Sequence, residues 1–386
     1  MSEHASGAKE SPLSRSHRHP SSAAGADRPS APVPGSRVTV RTPAKVNLHL
    51  GVGARRDDGY HTVITILQAV SLYDEITVAA VDGAAVDPDA VEPAVSVEVT
   101  GEGAAGPAAP LVPLPGASGR PGPSSQPGDA VASAAAARIS LVPTGVDNLA
   151  VRAAHVLAAR AGVRGAAAHM TMAKGIPVAA GMAGGSADAA GSLVAFDVLW
   201  GTGLDRSVLS ELAAGLGSDV PFPLAGGTAL GTGRGEQLTP VLGRGEYHWV
   251  FALADGGLST ASVYAEFDRL SQGRLRTEPT PPDAVLAALR TGDPVELGRA
   301  LVNDLQPAAL RLRPSLRRVL ETGVELGAVG AIVSGSGPTC AFLARDAEQS
   351  VALAASLAGM GVCRAVRHAH GPVSGARVVD PGGSAG

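Results

Sequence analysis

The chain has 386 residues, enough for two domains, and 45% are hydrophobic, so a core can form, with aromatics at only 3% and Ala, Val and Leu left to fill it. A net charge of -4 leaves no basic footprint for a nucleic-acid partner. No apolar run reaches the ~18 residues that span a bilayer, no signal-type apolar stretch opens the chain, and Cys340 and Cys363 stand in apolar surroundings at no metal spacing, so the expectation is a soluble cytoplasmic protein with reduced thiols and no membrane partner.

Residues 1–36 are rich in Ser, Ala, Pro, Arg and His and are expected to form a disordered tail. Order is expected from Val38. Val38–Val40 and Val46–Val52 alternate as strands, Arg55–Tyr60 reads as a turn, and Val63–Val70 and Asp74–Val78 continue the β pattern. Gly, Ala, Pro and Ser then dominate 82–145, which reads as a flexible insertion around one strand at Val95–Val99. Asp147 or Asn148 can cap a helix running to Ala161, with Gly162 as its stop. A strand at His169–Ala173 precedes a Gly-rich turn, and helices follow at Ser186–Trp200, with an apolar stripe of Ala190, Leu193, Val194 and Val198, and at Val208–Leu216. Phe222–Leu230 and Trp249–Ala254 read as strands; Pro282–Thr291, Pro294–Leu301 and Pro314–Leu326 read as helices. The strand Ala331–Val333, a second Gly turn, the strand Cys340–Leu343 and the helix Ala347–Met360 complete a mixed α+β or α/β pattern, and 377–386 reads as a frayed tail.

Five stretches carry chemistry. Pro177, Val178, Ala179, Ala180, Gly181, Met182, Ala183, Gly184, Gly185, Ser186 and Ala187 form a small-residue turn that runs into a helix, an arrangement whose amides and dipole favour an anion. No Gly-Lys-Ser/Thr follows it and the G-x-G-x-x-G spacing is absent, so it is neither a Walker loop nor a dinucleotide fingerprint. A purely structural turn needs fewer small residues in a row. Ser334–Thr339 is a second Gly turn; taken alone, it is a tight hairpin. Lys45, Asn47 and His49 share one face of a strand, either as a functional row or as a solvent-facing edge, with His49 the bystander. Asp57–His61 is a turn with a Tyr and a His beside it, which suits surface chemistry or the stacking and hydrogen bonding of a base. Asp219 sits in a small-residue loop, where a lone Asp is usually a turn former.

With Pro43–Leu48, Asp58–Thr62, Asp147–Leu149, Pro177–Ala190, Gly217–Pro221, Asn303–Leu305 and Ser334–Thr339 as the matching strings in chain order, the sequence from about 38 to 370, apart from the insertion, resembles the GHMP kinase family. The resemblance implies a two-domain fold, a ribosomal-protein-like nucleotide domain over 37–245 and a ferredoxin-like domain over 246–376. It implies that Pro177 to Ala187 wraps the phosphates of ATP, brought with Mg2+ whose ligands stay open among Ser186, Asp188 and Thr339. Lys45 and Asp219 match the catalytic pair, with Lys45 holding Asp219. Tyr60, His61 and Tyr264 match positions that grip a cytosine, and Asn47 and Thr260 would contact substrate. The implied activity is ATP-dependent phosphorylation of the 2-hydroxyl of a small cytidine-diphosphate acceptor in non-mevalonate isoprenoid synthesis, by a monomer or weak homodimer. A homoserine- or mevalonate-type kinase and a non-catalytic binding protein are the alternatives. Ala179, Ala180 and Ala183 stand where many relatives carry Gly, which costs little if their φ is negative.

Overall fold

A computed structural model describes residues 35–81, 90–103, 142–271 and 278–379. Nearly all of the expected 1–36 tail, and most of the expected 82–145 insertion, lie outside the described residues.

Strands β1 (Arg37–Arg55) and β2 (His61–Ala80) pair antiparallel from Arg37↔Ala79 to Arg55↔His61. The turn between them is the one expected: Gly59 takes φ +84, and Tyr60 N donates to Asp58 Oδ1 at 3.0 Å. β3 (Ala94–Gly101) runs parallel to β4 (Ala167–Lys174), which pairs with β2. Helix α1 (Leu149–Ala161) starts as its sequence signals require. Asn148 Oδ1 accepts from Ala150 N at 2.8 Å, and Gly162 closes the helix at φ +72.

Helix α2 (Gly184–Trp200) carries no single apolar stripe. Ala187, Ala189, Ala190, Leu193, Ala195 and Phe196 are all buried, whereas Val198, expected on the stripe, is 48% exposed. The helix lies against the sheet on one side and α1 on the other, so most of its circumference is covered. Gly191 allows this approach; a Cβ there would stand 2.7 Å from Thr42 Oγ1 and 2.9 Å from Ile76 Cγ1.

α3 (Arg206–Leu216) follows as expected. The strand expected at Phe222–Leu230 does not form as one element. Pro221–Ala225 is the short helix α4, Gly226 and Gly227 reverse the chain at φ +71 and +67, and β5 begins only at Thr228 (Thr228–Thr232). Pro221 sits at the helix start, where its fixed φ suits a first turn, and Phe222 and Leu224 are core residues whose spacing imitates a strand. β5 pairs with β2 and with β6 (Gln237–Pro240).

The second half contains β7 (Tyr247–Leu253), α5 (Thr260–Ser271), α6 (Asp283–Thr291), α7 (Pro294–Ala300), β8 (Val302–Asn303), α8 (Gln306–Leu312), α9 (Ser315–Glu325), β9 (Gly330–Val333), β10 (Cys340–Ala344), α10 (Ala347–Gly359) and β11 (Ala365–Gly371). Its sheet order is β11-β7-β10-β9, antiparallel throughout. With helices after β7 and β10, this is the ferredoxin-like arrangement. The start of the tail expected over 377–386 is ordered instead: β12 (Arg377–Val378) pairs with Val40 and Arg41 of β1, and residues 380–386 lie outside the described residues.

The two sheets meet in one core. Ala44, Val46 and Leu48 on β1 pack with Trp249, Phe251 and Leu343 on the second sheet, and Trp249 Nε1 donates to Gln68 Oε1 at 3.0 Å. Each large side chain buried there contributes about 1.5–3 kcal/mol. Because one face of β1 is committed to this contact, the alternate residues Lys45 and Asn47 must face the other way. Cys340 and Cys363 are unpaired, and burial pushes the Cys340 thiol up to about 12. Among the described residues, no helix is long and apolar enough to cross a membrane.

Candidate active site

The other side of β1 faces a cavity of about 740 Å3 between the two halves. Its walls take Lys45 and Asn47 from β1, Tyr60 from the β1–β2 turn, His61 from the start of β2, and Pro177–Gly181 with Ala183–Gly185 from the Gly-rich turn. Ser218 and Asp219 enter from the α3–α4 loop, Thr260 and Tyr264 from α5, and Gly335 and Ser336 from the second Gly turn. Of the residues expected in the phosphate turn, Met182 and Ala187 are buried core residues, and Met182, Ser186 and Ala187 do not line the cavity.

The Gly-rich turn and the second Gly turn hold each other. Ser334 Oγ donates to Gly181 O at 3.3 Å, and a Cβ on Gly181, at φ +72, would collide with the Ser334 carbonyl oxygen. Asn303 Nδ2 donates to Val333 O and Gly335 O, both at 2.8 Å, so the Asn-Asp-Leu string is a brace for this turn. The hairpin reading of Ser334–Thr339 and its position at the cavity hold together, since the turn joins β9 to β10 and lines the site. Two alanines depart from expectation. Ala179 and Ala183 adopt φ +53 and +60, the left-handed region, so alanine carries strain of ~1–2 kcal/mol at each.

No side chain caps the start of α2. Its first amides lack intrahelical acceptors by helix geometry and lie at the cavity wall, which provides donors and a positive dipole end for an anion. Behind them is a buried cluster. Lys174 Nζ donates to Asp74 and, at 2.6 Å, to Asp188 Oδ2, while Asp74 Oδ1 accepts from Gly175 N and Ile176 N at 2.8 and 2.9 Å. Burial raises the Asp188 pKa to about 7 against the pull of Lys174, with Asp74 adding to the rise. Asp188 Oδ1 is buried without a hydrogen-bond partner.

Lys45, Asn47 and His49 are all buried, so this strand face is no solvent-facing edge. Lys45 Nζ donates to Asn47 Oδ1 at 2.7 Å; Asn47 Nδ2 donates to Thr65 Oγ1 at 2.9 Å, which donates to His49 O at 2.6 Å. Burial lowers the Lys45 pKa, and the Asp219 charge raises it part of the way back. The expected grip of Lys45 on Asp219 is absent: among the described residues no ion pair joins them, and Asn47 holds the ammonium. A bulge after Asn47 turns His49 to Thr280 O, at 2.9 Å, and out of the cavity lining.

The aromatic end is built from both halves. The His61 ring stacks on Tyr264 at 5.0 Å between centroids and 28° between planes, with the edge of Phe267 at 6.0 Å. Burial, then the Asp219 charge, raises the Tyr264 hydroxyl pKa. Tyr60 is 56% exposed, with the Arg234 guanidinium 5.2 Å from its ring centroid. Thr260 Oγ1 and Ser336 Oγ are 2.9 Å apart. The sequence analysis assigns no role to Arg234 or Asp268, which line the cavity, whereas Ser336 belongs to the second Gly turn and Asp188 is one of the Mg2+ candidates. Arg234 and Asp268 reach the cavity from distant segments and carry no local motif. Among the described residues, no group of three or more His, Cys, Asp or Glu could hold a metal ion.

Residues 148–227 match the family model for the GHMP kinases N terminal domain, and residues 285–362 match the one for the GHMP kinases C terminal. The chain belongs to the GHMP kinase family, whose members are small-molecule kinases that use ATP. Within it, the chain is 49% identical over 346 residues to a 4-diphosphocytidyl-2-C-methyl-D-erythritol kinase of Nocardia farcinica, covering 90% of this chain and 97% of that one. It is 50% identical over 345 residues to the protein of the same name from Thermobifida fusca, covering 89% and 98%. A crystal structure of 4-(cytidine 5'-diphospho)-2C-methyl-D-erythritol kinase superposes at a TM-score of 0.62 and 28% identity, covering 86% of this chain and 98% of that one. L. major mevalonate kinase, at a TM-score of 0.61 and 17% identity over 90% and 99% of the two chains, shares the fold.

Proposed function

We propose that this chain transfers the terminal phosphoryl group of ATP to the 2-hydroxyl of 4-diphosphocytidyl-2-C-methyl-D-erythritol, a step of non-mevalonate isoprenoid synthesis. It acts in the cytoplasm, as a monomer or weak homodimer, on a small molecule and on no nucleic acid. One observation carries this reading. A single cavity holds an uncapped helix start, a desolvated lysine with a nearby carboxylate, and a cluster of rings suited to a base.

In phosphoryl transfer the protein mainly positions groups and neutralises charge. The Gly-rich turn and the first amides of α2 take the triphosphate. Asp219 accepts the proton of the attacking hydroxyl. Lys45, with one N–H committed to Asn47, offers its remaining N–H donors to the developing charge on oxygen. Asn47 and Thr260 orient the acceptor, and Tyr60, His61 and Tyr264 hold its cytosine. Mg2+ on the triphosphate supplies further charge neutralisation. A magnesium ion takes one or two carboxylates plus phosphate oxygens, and Asp188, with its unpartnered Oδ1, would be its protein contact.

Homoserine and mevalonate would leave the ring cluster without a role, and a non-catalytic binder would need neither Lys45 nor Asp219. The test is ADP formation with ATP and the cytidine acceptor, for the wild type and for Asp219→Asn. Turnover is expected in the wild type, with a fall in kcat of ~10²–10⁴-fold in the variant. Absence of wild-type turnover contradicts the function, and near-normal turnover in the variant removes Asp219 as the base.

A further inference from the structure

We propose that Asp268 is the positioning residue of the base end of this site, fixing the His61 imidazole so that one ring nitrogen and one ring face are presented to the acceptor. The inference rests on the reading of His61 as a base-binding residue. Asp268 lies four residues after Tyr264 on α5, so the two project from neighbouring turns of the same helix face. His61 is the first residue of β2, in the other half of the fold. Asp268 Oδ1 stands 2.7 Å from His61 Nε2, and all three side chains line the cavity.

An imidazole on a strand is free to flip about its last torsion, because that torsion is broad and roughly two-fold. A flip would exchange the nitrogen facing a ligand. Here two constraints act on one ring. Stacking on Tyr264 fixes its plane, and the carboxylate fixes which edge carries Nε2. With Nε2–H donating to the carboxylate, Nδ1 is the only ring nitrogen left for a ligand, and in the neutral ring it is an acceptor. The His61 side chain is almost wholly buried and that of Asp268 is about one-third exposed. The carboxylate therefore holds the ring from the cavity rim, whereas His61 itself sits within the wall.

The test is steady-state kinetics of Asp268→Ala, Asp268→Asn, His61→Ala and the double variant Asp268→Ala/His61→Ala, with acceptor and ATP varied in turn. Asp268→Ala is expected to raise the acceptor KM about tenfold, with kcat and the ATP KM within about twofold of the wild type. Asp268→Asn is expected to recover most of the loss, since its amide oxygen also accepts from Nε2–H. The double variant is expected to match His61→Ala, because a residue that acts through His61 adds nothing once the ring is gone. An unchanged acceptor KM in Asp268→Ala overturns the proposal when His61→Ala does raise it. An unchanged acceptor KM in His61→Ala overturns the base-site reading itself. A parallel shift of kcat and both KM values, with additive single effects, makes Asp268 a structural tie between α5 and β2 and overturns the positioning role.

Discussion

Lys45 is a buried lysine. Its ammonium has a buried amide oxygen as partner and a carboxylate within electrostatic range but outside ion-pair distance. Burial disfavours the charged form more than Asp219 restores it, so Lys45 loses its proton at lower pH than an ordinary lysine. In the role proposed for Lys45, the charged form is the active one. Activity should therefore fall as pH rises through the lowered pKa, and the alkaline limb of kcat/KM should lie below the ordinary lysine value of about 10.4. A limb at or above that value in a pH–rate profile would contradict the assigned role. Lys45 and Asn47 were legible in the sequence because strand alternation places them together against an apolar row. Asp268 and Arg234 were not, because each meets its ring partner across more than a hundred residues of chain.

At the scale of elements, the Gly-rich turn is shaped by its neighbour turn as much as by its own glycines. Gly181 is required where the Ser334 carbonyl passes, whereas Ala183 occupies a left-handed conformation at the start of α2 with only its methyl to accommodate. A β-branched side chain cannot adopt that conformation cheaply. Ala183→Val should lower the unfolding free energy by ~1–3 kcal/mol, while Ala183→Gly should stay within about 1 kcal/mol of the wild type, relief of strain offsetting lost chain stiffness. Urea denaturation measures both, and equal stabilities would show that the left-handed geometry carries no cost. Elements with caps were legible: Asn148 and Gly162 bracket α1 as their chemistry requires. α4 was misread because Phe222 and Leu224 alternate like a strand while Pro221 begins a helix. α5 went unread because only Val263 of its residues is buried, so its sequence shows a thin apolar stripe.

At the scale of the whole molecule, the cavity exists because β1 serves two partners. One face of its second half is sealed against the ferredoxin-like sheet, and the other carries the polar row into the space left between the halves. The order of strand, turn and helix motifs along the chain was enough to indicate both halves and the family. The packing of α5 over the β1–β2 turn, which brings Tyr264 to His61 and near Asp219, depends on long-range contacts that no local pattern encodes. Under the proposed function, that packing makes the acceptor's base, rather than its reacting hydroxyl alone, the chief source of selectivity. A comparison of acceptors in a coupled ADP-release assay tests this most directly. kcat/KM for 4-diphosphocytidyl-2-C-methyl-D-erythritol should exceed that for homoserine and for mevalonate by at least ~10²-fold; turnover of either small acceptor, with none of the cytidine compound, would contradict it.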